Sequence, residues 1–328
     1  MCETLTCEGK KKMKRIVLAV LSLSVLTNLY AGDMKINGDT HFNYSFEDAD
    51  NNAFQLSRAY FTFTNKVSDN ISYKFQTDIG PGGATAYTVY LKNANLAWKS
   101  DFGKFVFGLQ GMNMFGIQEG NWGYRFIEKS AMDLNKYSSS ADLGISWEKS
   151  LGALTPSVQL SNGTGYKKAE DDKYKKLSLR LLYGEAKLKK GYNAGVSLSL
   201  ESEDYLDANT ETQKGGTQVL GVFGGFAAGP LKIGGEFAMR NNSMDTDKSA
   251  NFVSAYANYK ISDQLSGFGR LDLVDQDSDT DGDGFNYLIL GMNYQIEKVL
   301  NIAPTMKMKN PETGDAEIVY QVNFRFNI

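Results

Sequence analysis

The sequence predicts an all-β fold, a transmembrane antiparallel β-barrel of about 16 strands whose long third outer loop folds into the lumen. Three observations predict it. Apolar and polar residues alternate with a period of two along the chain after residue 32. The connections between the alternating segments are in turn short and long. Aromatic residues collect near one end of the segments, on their apolar face.

Residues 1–31 are predicted to be an upstream segment and a secretory signal peptide. The apolar run Ile16–Leu26 follows a basic stretch and is too short to span a bilayer as a helix. A basic start, a short apolar stretch and a small residue before a polar one are typical of such signals. We expect cleavage after Ala31, which leaves residues 32–328 as a single barrel domain. Both cysteines, Cys2 and Cys7, are then removed, so the mature chain has no disulfide.

The mature chain is mildly acidic. The first 31 residues contain five basic and two acidic residues, so residues 32–328 carry 30 Lys and Arg against 36 Asp and Glu, a net charge of −6. This balance argues against a nucleic-acid partner.

The last segment, Glu317–Ile328, shows the alternation most clearly. Phe324 and Phe326 belong to one set of alternate residues, whereas Arg325 and its polar neighbours belong to the other. A β-strand places the two sets on opposite faces. Each segment has roughly the ten residues that a tilted strand needs to cross a membrane. We expect strands at 34–46, 54–65, 70–79, 87–99, 102–110, 140–149, 154–161, 174–184, 191–202, 216–227, 230–240, 250–261, 264–275, 285–296, 299–308 and 316–328.

The connections and the aromatic residues agree with this topology. Connections after even-numbered strands are short, as at 66–69, whereas those after odd-numbered strands include the polar stretches 162–173 and 203–215. Outer-membrane barrels have this asymmetry, with short periplasmic turns and long outer loops. A belt of aromatic residues is expected outside the barrel near the periplasmic rim: Trp98, Trp147, Tyr183, Tyr259, Tyr294, Phe324 and Phe326. A soluble β-sandwich or propeller also alternates, but no linker or composition shift divides this chain.

The longest connection, residues 111–139, is the third outer loop. A structureless stretch of this length is usually functional. We expect it to fold into the lumen as a constriction; the alternative is that it covers the outer mouth. Its candidate residues are Glu119, Arg125, Glu128, Lys129 and Asp133.

Arginine is concentrated at positions predicted to face the lumen. The mature chain has six arginines, of which five lie on strands at lumen-facing positions and one in the third loop. Guanidinium groups suit carboxylates and phosphates because they stay charged and carry a planar fork of donors. They either form a basic wall that favours anions or pair with lumenal acids and brace the wall. The candidate pore-lining residues are Arg58, Lys74, Arg180, Arg240, Arg270, Asp272 and Arg325.

Two other features suggest sites less clearly. Asp277, Asp279 and Asp281 match the first half of a calcium loop, but Leu288 stands where the bidentate Glu belongs. The alternative is a solvated acidic turn. His41 is the only histidine and lies in no recognisable catalytic motif, so we interpret it as a wall residue. We expect neither a catalytic site nor a cofactor.

Short motifs in a fixed order carry a resemblance. They are residues 54–60, 68–73, 106–109, 122–125, 141–144, 270–272 and 291–294. In this order they resemble motifs of the outer-membrane porins related to the phosphate-selective porins O and P. The resemblance covers essentially the whole mature region and implies a passive, trimeric pore of sixteen strands. The chain departs from the family in ending on Ile328, where such barrels usually end in Phe, and in lacking dense lysine clustering.

The sequence therefore predicts an outer-membrane porin of a Gram-negative-type bacterium, through which small hydrophilic solutes and ions diffuse passively. A mild preference for phosphate-like anions is part of this prediction. Its partners are the lipid bilayer, further copies in a homotrimer, and the solutes. One alternative is an enzyme in the outer membrane, which needs a convergent catalytic set. The other is a non-conducting adhesin or structural barrel, which needs a plugged lumen.

Overall fold

A computed structural model describes residues 33–81, 87–206, 211–243 and 248–328. The predicted signal peptide and its cleavage after Ala31 lie outside the described residues. The sixteen strands are β1 (Asp33–Phe46), β2 (Asn52–Lys66), β3 (Ile71–Pro81), β4 (Tyr87–Ser100), β5 (Gly103–Gly111), β6 (Ala141–Glu148), β7 (Leu154–Ser161), β8 (Lys176–Gly184), β9 (Gly191–Leu206), β10 (Thr212–Ala228), β11 (Leu231–Asn242), β12 (Lys248–Lys260), β13 (Leu265–Asp275), β14 (Phe285–Glu297), β15 (Leu300–Pro311) and β16 (Glu317–Asn327).

All sixteen strands pair with their sequence neighbours in one antiparallel sheet that closes into a barrel. The closure joins the first and last strands. Gly38 N–H donates to the Ile328 carbonyl, and Ile328 N–H donates back to the Gly38 carbonyl, both at 2.9 Å. Phe42 stacks on its cross-strand partner Phe324 with ring centroids 4.6 Å apart. The predicted fold class, an antiparallel barrel of sixteen strands, is confirmed.

The outer face of the barrel is apolar. Alternate residues of each strand expose large apolar side chains, such as Leu271 and Leu273 on β13. Trp98, Tyr183, Tyr259, Tyr294 and Phe326 of the predicted belt are all exposed. A closed sheet with an apolar outer band and aromatic residues at one end is built to cross a bilayer, because it leaves no strand edge unpaired in hydrocarbon.

Two short helices, α1 (Gly116–Trp122) and α2 (Ala131–Leu134), lie between β5 and β6. No helix among the described residues is long and apolar enough to cross a membrane.

The largest difference from the predicted strand bounds lies in the β9–β10 hairpin. Residues 203–215 were expected to form a polar loop. Instead, residues 203–206 and 212–215 extend the two strands, with Asp204 opposite Lys214 and Tyr205 opposite Gln213. Polar composition indicates that a segment lies beyond the hydrocarbon, but it does not prevent β pairing there.

Two β-bulges change which side chains face inward. On β2, His41 pairs with Arg58 while Phe42 pairs with Leu56, so Ser57 is an extra residue. On β4, Gln76 pairs with Asn93 while Thr77 pairs with Leu91, so Lys92 is extra. A bulge offsets the alternation by one residue. Arg58 lies at the lumen-facing position predicted for it, and Lys92 also faces inward, next to the same carboxylate, Asp78.

The apolar outer band gives a direct test. Leu290 is exposed on the outer face near the middle of β14. Leu290→Lys should destabilise the barrel in lipid by about 2–4 kcal/mol, since a cation on the lipid face near the midplane must be desolvated. Leu290→Met, which conserves volume, should cost less than about 1.5 kcal/mol. Unfolding of both variants by denaturant in lipid vesicles measures the difference, and equal stability of the two would argue against lipid contact at this position.

Candidate functional site in the barrel interior

The segment between β5 and β6, residues 112–140, is named here the inner segment. It includes α1 and α2 and is the most buried part of the chain: Met114, Ala131 and Met132 have no exposed surface. Helix α1 ends at Gly123, whose positive φ of 79° is the left-handed conformation that glycine adopts without strain. This reversal directs residues 124–130 along the barrel wall.

Polar side chains of the wall hold the backbone and side chains of the inner segment. The Asn121 and Asn193 amides donate to each other at 2.8 and 2.9 Å. Asn258 Nδ2 donates to the Trp122 carbonyl at 2.8 Å. The Gln159 and Glu236 side chains accept hydrogen bonds from the backbone N–H groups of Asn113 and Ala131. Lys307 Nζ donates to the Ile127 carbonyl. These partners lie on β7, β9, β11, β12 and β15. Since one segment contacts inward-facing residues on all of them, it packs against the inside of the wall.

Apolar contacts on the inner face of β10–β15 reinforce this packing. The Trp122 ring meets Tyr256 and Phe268 edge-on, with centroids 5.7 and 6.0 Å apart. Gly221 makes room for the segment, because an added Cβ would lie 2.7 Å from Met132 Cε. Sequence reasoning missed this apolar inner surface. The sequence did contain one indication of it. Tyr256 on β12 and Phe268 on β13 stand at lumen-facing positions, where a water-filled barrel would have polar residues.

Ionic contacts fix the middle of the inner segment. The Glu128 carboxylate accepts from Lys307 Nζ and from the Tyr287 hydroxyl, both at 2.9 Å. Nearby, Arg270 donates to both carboxylate oxygens of Asp272, at 2.8 and 2.5 Å, and to the Lys129 carbonyl. Burial alone would raise the pKa of Glu128, but the Lys307 ammonium and the hydrogen bonds from Lys307 and Tyr287 outweigh it, so its pKa lies below the ordinary value.

Five of the six arginines of residues 33–328 form ion pairs with carboxylates in the described part of the chain. Arg58 lies 3.7 Å from Asp78, and Arg325 donates to both oxygens of Asp39 at 2.9 and 3.1 Å. The other pairs are Arg125 with Glu119 and Asp133, Arg180 with Glu148, and Arg270 with Asp272. Arg240 instead lies over the Tyr137 ring at 4.9 Å. Ion pairs of this kind stabilise the barrel wall and leave less net charge in the lumen to select between anions and cations.

Three polar cavities lie along the opposite wall, the first at β2–β4, the second at β3–β8 and the third at β1–β5. The outermost, of about 390 Å³, lies between Arg58 and Asp78 on the wall and Lys129, Asp133 and Lys136 of the inner segment. The middle one, of about 270 Å³, is lined by Lys74, Lys104, Glu148 and Arg180 among others. The innermost cavity, the one beside the short periplasmic turns, measures about 460 Å³. It is lined by Lys35, Lys66, Lys74, Lys99 and Lys104 together with Asp33 and Asp69. Together these cavities are named the polar passage.

Lys92 is buried next to Asp78, a lining residue of the outermost cavity. Its Nζ donates to the Tyr60 hydroxyl at 2.8 Å and is 3.8 Å from Asp78. Arg58 also donates to the Tyr60 hydroxyl. Both cations face inward. Lys92 was not among the candidate residues, because the bulge at this position cannot be read from the alternation.

The acidic turn and the histidine have simple surroundings. Asp277 lies 3.7 Å from Lys248 and accepts from Thr280. Among the described residues, Asp277, Asp279 and Asp281 are not drawn together as calcium ligands; the one cluster of three acids is Glu170, Asp171 and Asp172 in an outer loop. His41 is buried, with Nε2 3.2 Å from Asp39 and its ring edge-on to Phe126.

No protein-family model and no curated protein matches this chain. Solved structures do. In-vitro folded OmpT, an outer membrane protein of Vibrio cholerae in its trimer form, is 12% identical with a TM-score of 0.68, over 91% of this chain and 100% of that one. An anion-selective porin from Comamonas acidovorans is 13% identical with a TM-score of 0.65, over 90% and 99%. The outer membrane channel DcaP of Acinetobacter baumannii is 14% identical with a TM-score of 0.61, over 91% and 98%.

At these identities the likeness concerns the fold. The chain has the barrel fold of outer-membrane porins and channels, and the apolar outer band of its sixteen closed strands is suited to the outer membrane of Gram-negative bacteria. The finer resemblance to the phosphate-selective porins O and P is not reproduced among these structures.

The Glu128–Lys307 pair predicts a pH-dependent stability. Glu128→Gln should destabilise the protein at pH 7 by about 3–5 kcal/mol, because it leaves the buried Lys307 ammonium uncompensated. The folded-state pKa of Glu128 is lowered, so its contribution is complete above the ordinary value of 4.5 and is lost as the pH falls through the lowered pKa.

The difference in melting temperature between Glu128→Gln and the unmodified protein should therefore become smaller below pH 4. Lys307→Gln provides a second variant of the same pair. If the difference in melting temperature were the same at pH 7 and pH 3, Glu128 would not be ionised in the folded protein at pH 7.

Proposed function

We propose that this protein is an outer-membrane porin that forms a water-filled channel for passive diffusion of small hydrophilic solutes and ions, with a mild preference for anions. In this proposal the channel catalyses no reaction. The observation that carries this function is the polar passage, a series of cavities along β1–β8 where the inner segment does not fill the lumen.

The passage follows a wall whose inward side chains stay partly open to water. Tyr60, Thr62, Lys74 and Gln76 are partly exposed. In a barrel of this size the interior is too wide for wall side chains alone to fill. The inner segment therefore acts as the constriction in this proposal, and Arg125, Glu119 and Asp133 form its own ion-paired face.

Cations outnumber carboxylates along the passage. Its middle cavity has Lys74, Lys104 and Arg180 against the single carboxylate Glu148. Charges within about 8–10 Å of a permeating ion act on it at physiological salt, whereas the more distant outer-loop acids are screened. A low-dielectric wall strengthens the local field. The arginine pairing reduces this potential, so the expected preference for phosphate-like anions is mild.

We also propose a homotrimer in the bilayer. The similar barrel of Vibrio cholerae OmpT is described in a trimer form, and the resemblance to porins implies the same assembly. Chemical cross-linking in native membranes tests this assembly.

Reversing one charge of the passage tests its ion preference. Lys74 faces the middle and innermost cavities and forms no ion pair with a described carboxylate. Lys74→Glu should move the reversal potential in a salt gradient towards cations, and more at 0.1 M than at 1 M salt, because the Debye length falls from about 10 Å to about 3 Å. Lys189→Glu, on an exposed turn, is the control. Identical reversal potentials for both variants would refute a role for Lys74 in the ion path.

Shortening the inner segment tests the constriction. Replacing residues 116–134, which include both helices, by a short Gly–Ser linker should raise single-channel conductance, because this segment occupies much of the lumen. Retained heat-modifiable migration on gels shows that the barrel still folds. An unchanged conductance in such a folded variant would mean that the segment does not limit the pore.

A further inference from the structure

A separate cavity of about 850 Å³ lies in the outer half of the barrel, between the inner segment and the wall of β11–β16. It is named here the side cavity and is lined by Arg240, Ala250, Val274, Phe285, Lys307 and Lys309, among others. Ligand sites typically measure roughly 300–1,000 Å³. The side cavity therefore has the size of a site for a small organic molecule.

The side cavity has a closed floor on the wall. Each lining strand continues towards the periplasm, and the next inward residue on each is 6% exposed or less. These residues are Ala238, Phe252, Asp272, Ile289, Thr305 and Asn323 on β11 to β16 in order. No water path follows this wall among the described residues.

The inner segment closes the remaining side. Lys307 Nζ donates to the Ile127 carbonyl at 2.8 Å and to Glu128 at 2.9 Å. Tyr137 packs edge-on against Phe252, with ring centroids 5.1 Å apart. The side cavity is thus a dead end beside the polar passage and not a second route through the barrel.

Two cations of the side cavity lie over aromatic rings. Arg240 lies over the Tyr137 ring at 4.9 Å, and Lys309 Nζ lies over the Phe285 ring at 4.7 Å. Neither forms an ion pair with a carboxylate of the described residues, whereas Lys307 and Lys248 do. Both charges are available to a ligand, and each ring keeps its cation next to apolar surface.

An apolar strip separates the two cations. Ala250 is the cross-strand partner of Arg240, Val274 is the partner of Phe285, and Lys309 is the partner of Tyr287. The strip crosses from β11 to β15, four strand spacings or about 19 Å. A bound molecule meets apolar surface in the middle and a cation at either end.

Carboxylates at the mouth make the side cavity selective against bare anions. Its lining includes five carboxylates: Glu128, Asp275, Asp277, Asp283 and Glu317. Glu128 and Asp277 are paired with Lys307 and Lys248, and Glu317 is the cross-strand partner of Lys309. An inorganic anion gains only charge contacts that these acids weaken. An organic anion also gains the burial of its apolar surface, at about 25 cal/mol per Å².

We propose that the side cavity binds a small organic anion with an apolar body, held by Arg240 and Lys309 on either side of the apolar strip. This binding function goes beyond the proposed channel and does not depend on it.

Titration of the full-length protein in nanodiscs with fluorescent 2,6-naphthalenedicarboxylate, which has one carboxylate at each end of an apolar ring system, tests the site. We expect saturable binding of one molecule per chain, with much weaker binding of inorganic phosphate and of 2-naphthylmethylammonium. Arg240→Gln and Lys309→Gln should each weaken binding of the dicarboxylate about tenfold, the loss of one charge-assisted contact. Lys189→Gln, on an exposed turn, and Lys74→Glu, in the polar passage, should leave the binding unchanged.

Single-channel recording distinguishes this site from the pore. Saturating 2,6-naphthalenedicarboxylate should leave conductance unchanged, because the side cavity is closed below. Conductance that falls in parallel with occupancy, binding that Lys74→Glu weakens as much as Arg240→Gln, or the absence of saturable binding would each overturn the proposal. A protein that binds 2,6-naphthalenedicarboxylate through Arg240 but conducts no ions would refute the porin function and leave the site intact.

Discussion

Backbone hydrogen bonding in a medium without water is the constraint on which the whole structure depends. An unpaired N–H or C=O in hydrocarbon costs several kcal/mol, so a chain of short strands can cross a bilayer only as a closed sheet. The bonds between Gly38 and Ile328 complete that closure. Once the sheet is closed, each strand has one face for lipid and one for the interior, and the chemistry of the molecule follows from that division.

The interior is itself divided. Along β1–β8 the wall is lined by polar cavities, whereas along β10–β15 it combines aromatic side chains with buried, paired polar groups and is covered by the inner segment. Glu236, Asn258 and Lys307 hold that segment through backbone atoms as well as side chains. The same residues that fill one half of the lumen therefore determine where water remains, both in the polar passage and in the side cavity.

Much of the fold follows from the sequence, since a period of two and short even-numbered turns are local signals. Strand number, closure and the outward belt at Trp98 and Tyr294 were predicted on that basis. The interior was harder to predict. A bulge such as that at Lys92 leaves no mark in the pattern, because it depends on the neighbouring strand's register. Pairs such as Arg270 with Asp272 were open to two interpretations, and the inner segment's contacts join residues more than 100 positions apart.

Those long separations have a consequence for the order of assembly. Glu128 contacts Lys307, which is 179 residues further along the chain and on the last strand but one. Contacts between distant residues form only after a large loss of chain entropy. The inner segment can therefore reach its final position only when the barrel is nearly complete. Until then Trp122, Met132 and the apolar surface of β12 and β13 lack their partners, and exposed apolar surface of this kind makes an unfinished barrel prone to aggregation.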